Sequence, residues 1–184
     1  MTPFRLPDKR YEEIKETVIN MFEFYSVSCI PISGFEIATK MNIKTIPYSA
    51  YNDRVQNLEK KFALDGFFTE DNDGQLCIYY NDEMSYGRIN HTILHEIAHI
   101  ILNHTEDSDL AEAEAKFFAK YALAPPILIH KLKLNDPFDI SCAFDISYEA
   151  ASYAYNYYNK WLRFGSDTLT EYELKTLHLF KEAI

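Results

Sequence analysis

The sequence predicts an α+β domain with helical ends, and three observations carry that reading. Apolar residues recur at helical spacing from Asp8 to about Phe24 and again from Asn90 to Asn103. Between them the helical period gives way to two short runs, Phe67-Phe68-Thr69 and Leu76-Cys77-Ile78-Tyr79-Tyr80, which flank Asp71-Asn72-Asp73-Gly74 as a β-hairpin would. Hydrophobic residues make up 47% and aromatics 15% of the 184 residues, with only 5 Gly and 7 Pro. That is ample for a packed core and excludes a disordered or fibrous chain.

Taken in order, the first helix has Tyr11, Ile14, Val18, Met21 and Phe22 on one stripe behind the start signal Pro7-Asp8. Ser33-Gly-Phe-Glu36 has the Ser-x-x-Glu form of a capping box and should open a short helix through Met41. A third helix is expected from about Ser49 to Lys61. In the helix from Asn90 to Asn103, Ile93, Leu94, Ile97, Ala98, Ile101 and Leu102 cover a wide apolar face, so it should be central and largely buried. An acidic link, Thr105 to Asp109, leads into a helix from about Asp109 to Leu123, ended by Pro125-Pro126.

The remainder is helical again. Ser147 to Phe164 carries a stop at Gly165, and Thr170-Glu-Tyr-Glu173 is a second capping box that opens the last helix. Within the Tyr-rich run Tyr153 to Tyr158, Ala151, Ala154, Tyr155 and Tyr158 stand at helical spacing and read as a packed stripe. There is no internal repeat or low-complexity linker. The expected organisation is an N-terminal helical portion (1–62), a core (63–126) and a C-terminal helical portion (127–184), together one compact unit.

With 28 acidic and 18 basic residues the formal charge is −10, which disfavours a large nucleic-acid interface. The basic spots at Lys9-Arg10, Lys60-Lys61 and Lys131 with Lys133 form no stripe. Cys29, Cys77 and Cys142 make neither a disulfide framework nor a CxxC pair, which suits a reducing compartment. No signal-peptide pattern is visible, and no apolar run approaches the roughly 20 residues that span a bilayer. A cytoplasmic location without a membrane partner is the expectation.

His95-Glu96-Ile97-Ala98-His99 is an HExxH motif inside the strongest predicted helix. Residues i and i+4 share a helix face, so both imidazoles can be directed at one ion, and Glu96 stands where a carboxylate can deprotonate the water such an ion holds. From this chain's own His and Glu usage, chance gives about 0.02 such matches. A third ligand is then required. Glu112 and Glu114 lie on the next helix and point about 200° apart, so only one of them can face the metal. Glu112 doubles as the N3 Glu of a capping box if Asp109 is the N-cap, and Glu114 reads as a solvent-exposed charge. His91 and His104, which flank the motif, read as satisfied or solvent-facing histidines. Among the 14 tyrosines, nothing singles out Tyr86, Tyr121 or Tyr153 as a transition-state stabiliser.

Ile78-Tyr-Tyr-Asn81, Arg88 and Thr92, His95-Glu-Ile-Ala-His99, and Glu112-Ala-Glu-Ala-Lys-Phe-Phe-Ala-Lys-Tyr-Ala-Leu-Ala-Pro125 together resemble the ImmA/IrrE-type metallopeptidases. The resemblance is close over residues 76–126 and weaker at Ser33 to Ile43 and Phe144 to Ala151. It implies a zincin-like peptidase core: a small antiparallel sheet, the HExxH helix and a helix bearing a Glu ligand. One zinc per chain would be held by His95, His99 and Glu112, with Glu96 as the catalytic base and then acid. A substrate would lie extended along Leu76 to Tyr80 as an edge strand.

The implied activity is zinc metalloendopeptidase cleavage of a regulatory protein, typically a helix-turn-helix repressor of a mobile element or stress response. One departure stands out. The family places Asn or Asp four residues after the Glu ligand, where it can orient a ligand histidine, and this chain has Lys116, which offers donors and no acceptor. That role is then either vacant, which implies weaker metal binding or an inactive descendant, or taken elsewhere, by Asp107 or Asp109. The alternative is a non-catalytic regulator that keeps the metallopeptidase fold and binds its partner without cutting it. A DNA-binding regulator, using Ser33 to Ile46 and Asp145 to Tyr158 as reading helices, is disfavoured by their sparse positive charge.

Overall fold

The computed structural model describes residues 5–106, 108–165 and 168–184. Along the chain come α1 (Asp8–Phe24), α2 (Gly34–Lys40), β1 (Lys44–Pro47), a 3₁₀ turn (Tyr48–Ala50), α3 (Asp53–Phe62), β2 (Gly66–Glu70) and β3 (Leu76–Tyr80). There follow α4 (Tyr86–Ile101), α5 (Asp109–Leu123), α6 (Pro126–Lys131), α7 (Pro137–Phe144), α8 (Tyr148–Phe164) and α9 (Glu171–Leu179). The class is α+β, mostly helical with one small sheet. Among the described residues no helix is long and apolar enough to cross a membrane.

Packing gathers these elements into two units, Ser33–Asp107 and, from both ends of the chain, Met1–Ile32 with Ser108–Ile184. The boundaries drawn from sequence at 62/63 and 126/127 follow changes of period. Packing instead follows which apolar faces meet, and period alone does not report that.

The first unit holds the sheet, whose strand order is β1-β3-β2. β2 and β3 pair antiparallel, with Phe68 opposite Ile78, as the hairpin signal requires. β1 pairs parallel to β3, with Thr45 opposite Ile78. The sheet is therefore mixed rather than antiparallel, and Leu76 to Tyr80 is its central strand, not an edge. β1 has only four residues and ends in Pro47, too short to alternate and marked by a residue that tolerates edge strands alone. The expected third helix begins later than its apolar spacing suggests, because Asn52 supplies the N-cap by accepting the Val55 N–H at 3.2 Å.

In the helical unit, α1 buries Ile14, Val18, Ile19, Met21 and Phe22 and packs against α5 and α9. Tyr11 meets Phe117 edge-on at 4.6 Å between ring centroids, and Phe22 meets Phe180 at 5.7 Å. α8 packs on α6 and α7; of the stripe expected from spacing, Ala151, Ala154 and Tyr158 are buried and Tyr155 is half-buried. Both arms of the Thr170–Glu173 capping box form. At Ser33 the side chain accepts the Glu36 N–H, while the Glu36 carboxylate pairs with Lys40 at 2.6 Å.

Candidate metal centre

The HExxH helix α4 is fixed from three sides within the sheet unit. Gly66, at the start of β2, has no room for a side chain: an added Cβ would lie 2.6 Å from the Tyr79 carbonyl oxygen and 2.7 Å from Thr92 Cγ2. Just before it, Asp65 receives both arms of Arg88, at 2.9 and 3.0 Å. Asn81 is buried and grips the same corner, its side-chain amide donating to Leu64 O at 3.0 Å and its backbone N–H to Asp65 O at 2.8 Å. From the other side, Gly34 of α2 donates its N–H to Asn90 Oδ1 at 2.6 Å. Asn81, Arg88 and Thr92 thus clamp the 64–66 corner onto α4, a scaffolding role.

Ile93, Leu94, Ile97 and Ala98 are fully buried, so the rotation of α4 is set and the histidines fall on its half-buried flank. His95 Nε2 and His99 Nε2 stand 3.1 Å apart, with ring centroids 4.7 Å apart and planes at 75°. Two nitrogens bound at about 2.05 Å to a tetrahedral ion are about 3.3 Å apart, so the pair fits a shared divalent metal. The Phe68 ring of β2 lies alongside His99 at 6.3 Å, and His91 lies alongside His95 at 6.3 Å. Glu96, next in sequence to the first histidine, is 8% exposed.

His104 is a satisfied histidine, one of the two bland readings its sequence position allows, but its partner is a residue of the motif itself. After Ile101, Leu102 closes the helix and Asn103 adopts a left-handed φ of 54°. The His104 N–H then donates to His99 O at 3.0 Å, and the Asn103 N–H to Ile100 O at 3.2 Å. This is the paired bonding of a Schellman motif, with Asn in the usual glycine position. The turn carries the His104 ring back until its Nδ1 lies 2.9 Å from His99 Nδ1. Spacing alone missed this, because i+5 is out of phase on a helix; the usable signal was Asn103, a residue that favours left-handed helix ends.

Glu112 belongs to the helical unit. The N-cap of α5 is Ser108, whose Oγ accepts the Ala111 N–H at 3.1 Å. The expected Asp109 cap is therefore displaced by one residue, and Glu112 falls one position past the capping-box site. Instead it pairs with Lys116 at 3.0 Å, the two side chains being 37% and 59% exposed. Glu114 is not the solvent-exposed charge expected of it. Its side chain is 7% exposed and takes both arms of Arg10, each at 2.7 Å. These carboxylate bonds, from Glu114 first and Glu13 second, raise the guanidinium pKa further above its ordinary value.

Of the residues considered for orienting a ligand histidine, Asp107 lies outside the described residues and Asp109 is an exposed first-turn acid of α5. Tyr86 precedes His95 by nine positions on α4, about 13 Å along the axis. Tyr121 is buried in the helical unit, and Tyr153 lies under Lys120 Nζ at 4.0 Å. His130 bonds Tyr158 Oη at 3.0 Å. Of the two segments weighed as DNA readers, the first lies within the sheet unit, where α2 packs on α4, Lys40 pairs with Glu36, and Lys44 pairs with Asp71 at 3.5 Å. The second runs into α8, which packs on α6 and α7.

Residues 38–156, well over half of the chain, match the family model of the peptidase M78 family, described as the IrrE N-terminal-like domain. No curated protein matches the sequence.

Proposed function

This chain belongs to the peptidase M78 family of IrrE N-terminal-like domains, whose membership carries a metallopeptidase-type function, and from that premise we propose that it is a zinc-dependent endopeptidase acting on a regulatory protein. The observation that carries the reading is the pair of imidazole nitrogens 3.1 Å apart on one helix flank, a spacing suited to a common ion. Glu112 is the third ligand by its place in the motif register, and two imidazoles with one carboxylate form a donor set typical of hydrolytic zinc. A zinc ion bound there supplies Lewis acidity, polarising the scissile carbonyl and lowering the pKa of nearby water towards about 7.

The chain's own groups do the rest. His95 and His99 present Nε2 from a helix that cannot rotate, because its opposite face is packed. Glu96 takes the proton of the attacking water and later delivers it to the leaving amine. An extended substrate pairs along the free edge of β2, the edge strand whose Phe68 lies beside His99. The substrate class is a basic DNA-binding repressor, which the net charge of −10 complements.

One observation favours the second reading, a regulator that binds without cutting: Lys116 pairs with the carboxylate that should reach the metal. Magnitudes decide against it. A part-exposed i,i+4 ion pair contributes about 0.3–0.5 kcal/mol, whereas zinc binding to a protein site is worth on the order of 10 kcal/mol. The ion outcompetes the lysine.

The test is elemental analysis of protein purified without added metal, followed by cleavage assays on candidate repressors. About one zinc per chain is expected, with Glu96→Gln retaining zinc and losing about 10²–10⁴-fold in cleavage rate. Failure to retain or take up zinc, with the repressor bound but left full length, establishes the binding-only regulator instead.

A further inference from the structure

His99 has two ring nitrogens, and the structure gives each a different neighbour. Nε2 faces His95, on the side where the pair fits an ion. Nδ1 faces His104 Nδ1 at 2.9 Å, a hydrogen-bond distance that requires one proton between the two atoms. A histidine that gives its Nε2 lone pair to a metal carries its proton on Nδ1 and must donate it. The atom placed to accept that proton is His104 Nδ1.

We propose that His104 is the positioning residue for His99: its Nδ1 accepts the His99 Nδ1 proton and so fixes the tautomer and ring plane in which His99 presents Nε2 to the metal. The inference rests on the metallopeptidase reading and assigns the orienting function that Lys116, having no acceptor, does not supply. His104 is itself held, because its backbone N–H closes onto His99 O and Asn103 sets the reversal. The ligand and its orienting residue therefore share one Schellman turn. His104 then keeps its own proton on Nε2, and it is not a fourth ligand, since its Nδ1 faces the side of His99 away from the His95 contact.

The test compares zinc affinity, by competition with a chromophoric chelator, in the wild type, His104→Leu and His104→Asn. Leucine fills space without an acceptor, while asparagine Oδ1 falls near the position of Nδ1. We expect His104→Leu to weaken zinc binding about 10–100-fold and His104→Asn to restore it to within a few-fold. In the zinc-loaded wild type, ¹⁵N NMR should show the His99 proton on Nδ1, with a coupling across the N–H···N bond to His104. That measurement needs no variant and decides the matter if His104→Leu fails to fold. Wild-type affinity in a folded His104→Leu, or absence of the coupling, overturns the positioning role while leaving the metallopeptidase reading intact. A wild-type protein that takes up no zinc overturns both.

Discussion

Glu112 and Glu114 are two residues apart and meet opposite fates. Their spacing shows that they leave α5 on different sides, and nothing nearby says which of them finds a cation, because Arg10 lies 104 residues away. Removing that cation should be costly. Arg10→Ala strips a buried carboxylate of its bidentate partner and should destabilise the protein by roughly 3 kcal/mol, the lower end for such pairs because Arg10 keeps about a third of its surface in water. Urea denaturation measures this, and a loss under 1 kcal/mol would count against a buried pair. Lys116→Asn, by contrast, should shift stability by no more than about 0.5 kcal/mol, since it breaks a part-exposed pair. The HExxH residues were legible because their spacing is itself the geometry. His104 was not, since a left-handed residue intervenes and spacing arguments presume an unbroken helix.

At the scale of elements, the boundaries of α1 and α5 agree with the apolar period because each carries a continuous stripe bounded by caps or prolines. β1 escaped because four residues ending in proline have no period to read. The contact between β2 and α4 yields a direct prediction. Gly66→Ala forces a methyl into the Tyr79 carbonyl and Thr92 and should cost about 1–3 kcal/mol, seen as a lower denaturation midpoint with unchanged slope. The hairpin has its own pH dependence. Asp71 Oδ1 accepts the N–H groups of Gln75 and Asp73, and these bonds, Gln75 first, hold its pKa below the ordinary 3.8. A depressed carboxyl stabilises the fold above its unfolded value and loses that contribution as pH falls through the folded one. The protection of the Gln75 amide, measured as exchange relative to the intrinsic rate at each pH, should therefore fall below pH 3.8, and Asp71→Asn should abolish that acid-dependent part.

For the whole molecule, the proposed zinc site makes stability a function of metal concentration. Free zinc at about 100 times its dissociation constant adds about 2.7 kcal/mol, which for a chain of 184 residues raises the melting temperature by about 5–10 °C. A chelator should reverse the shift, and Glu96→Gln should keep it because the proposed ligand set is His95, His99 and Glu112. An unchanged melting temperature would argue against specific binding to the native state.

The division of the chain also bears on how the protein is made. The segment Ser33–Asp107 is continuous, whereas α1 belongs with helices that follow it by about a hundred residues or more. Arg10 meets Glu114, and Lys175 reaches back to Glu23 across 152 residues. At about 5–20 residues per second of ribosomal synthesis, α1 waits about 5–20 s before α5 has been polymerised. Throughout that interval the stripe of Ile14, Val18, Ile19 and Phe22 lacks the α5 and α9 surfaces that cover it in the folded protein, which leaves this first helix open to chaperone capture or aggregation.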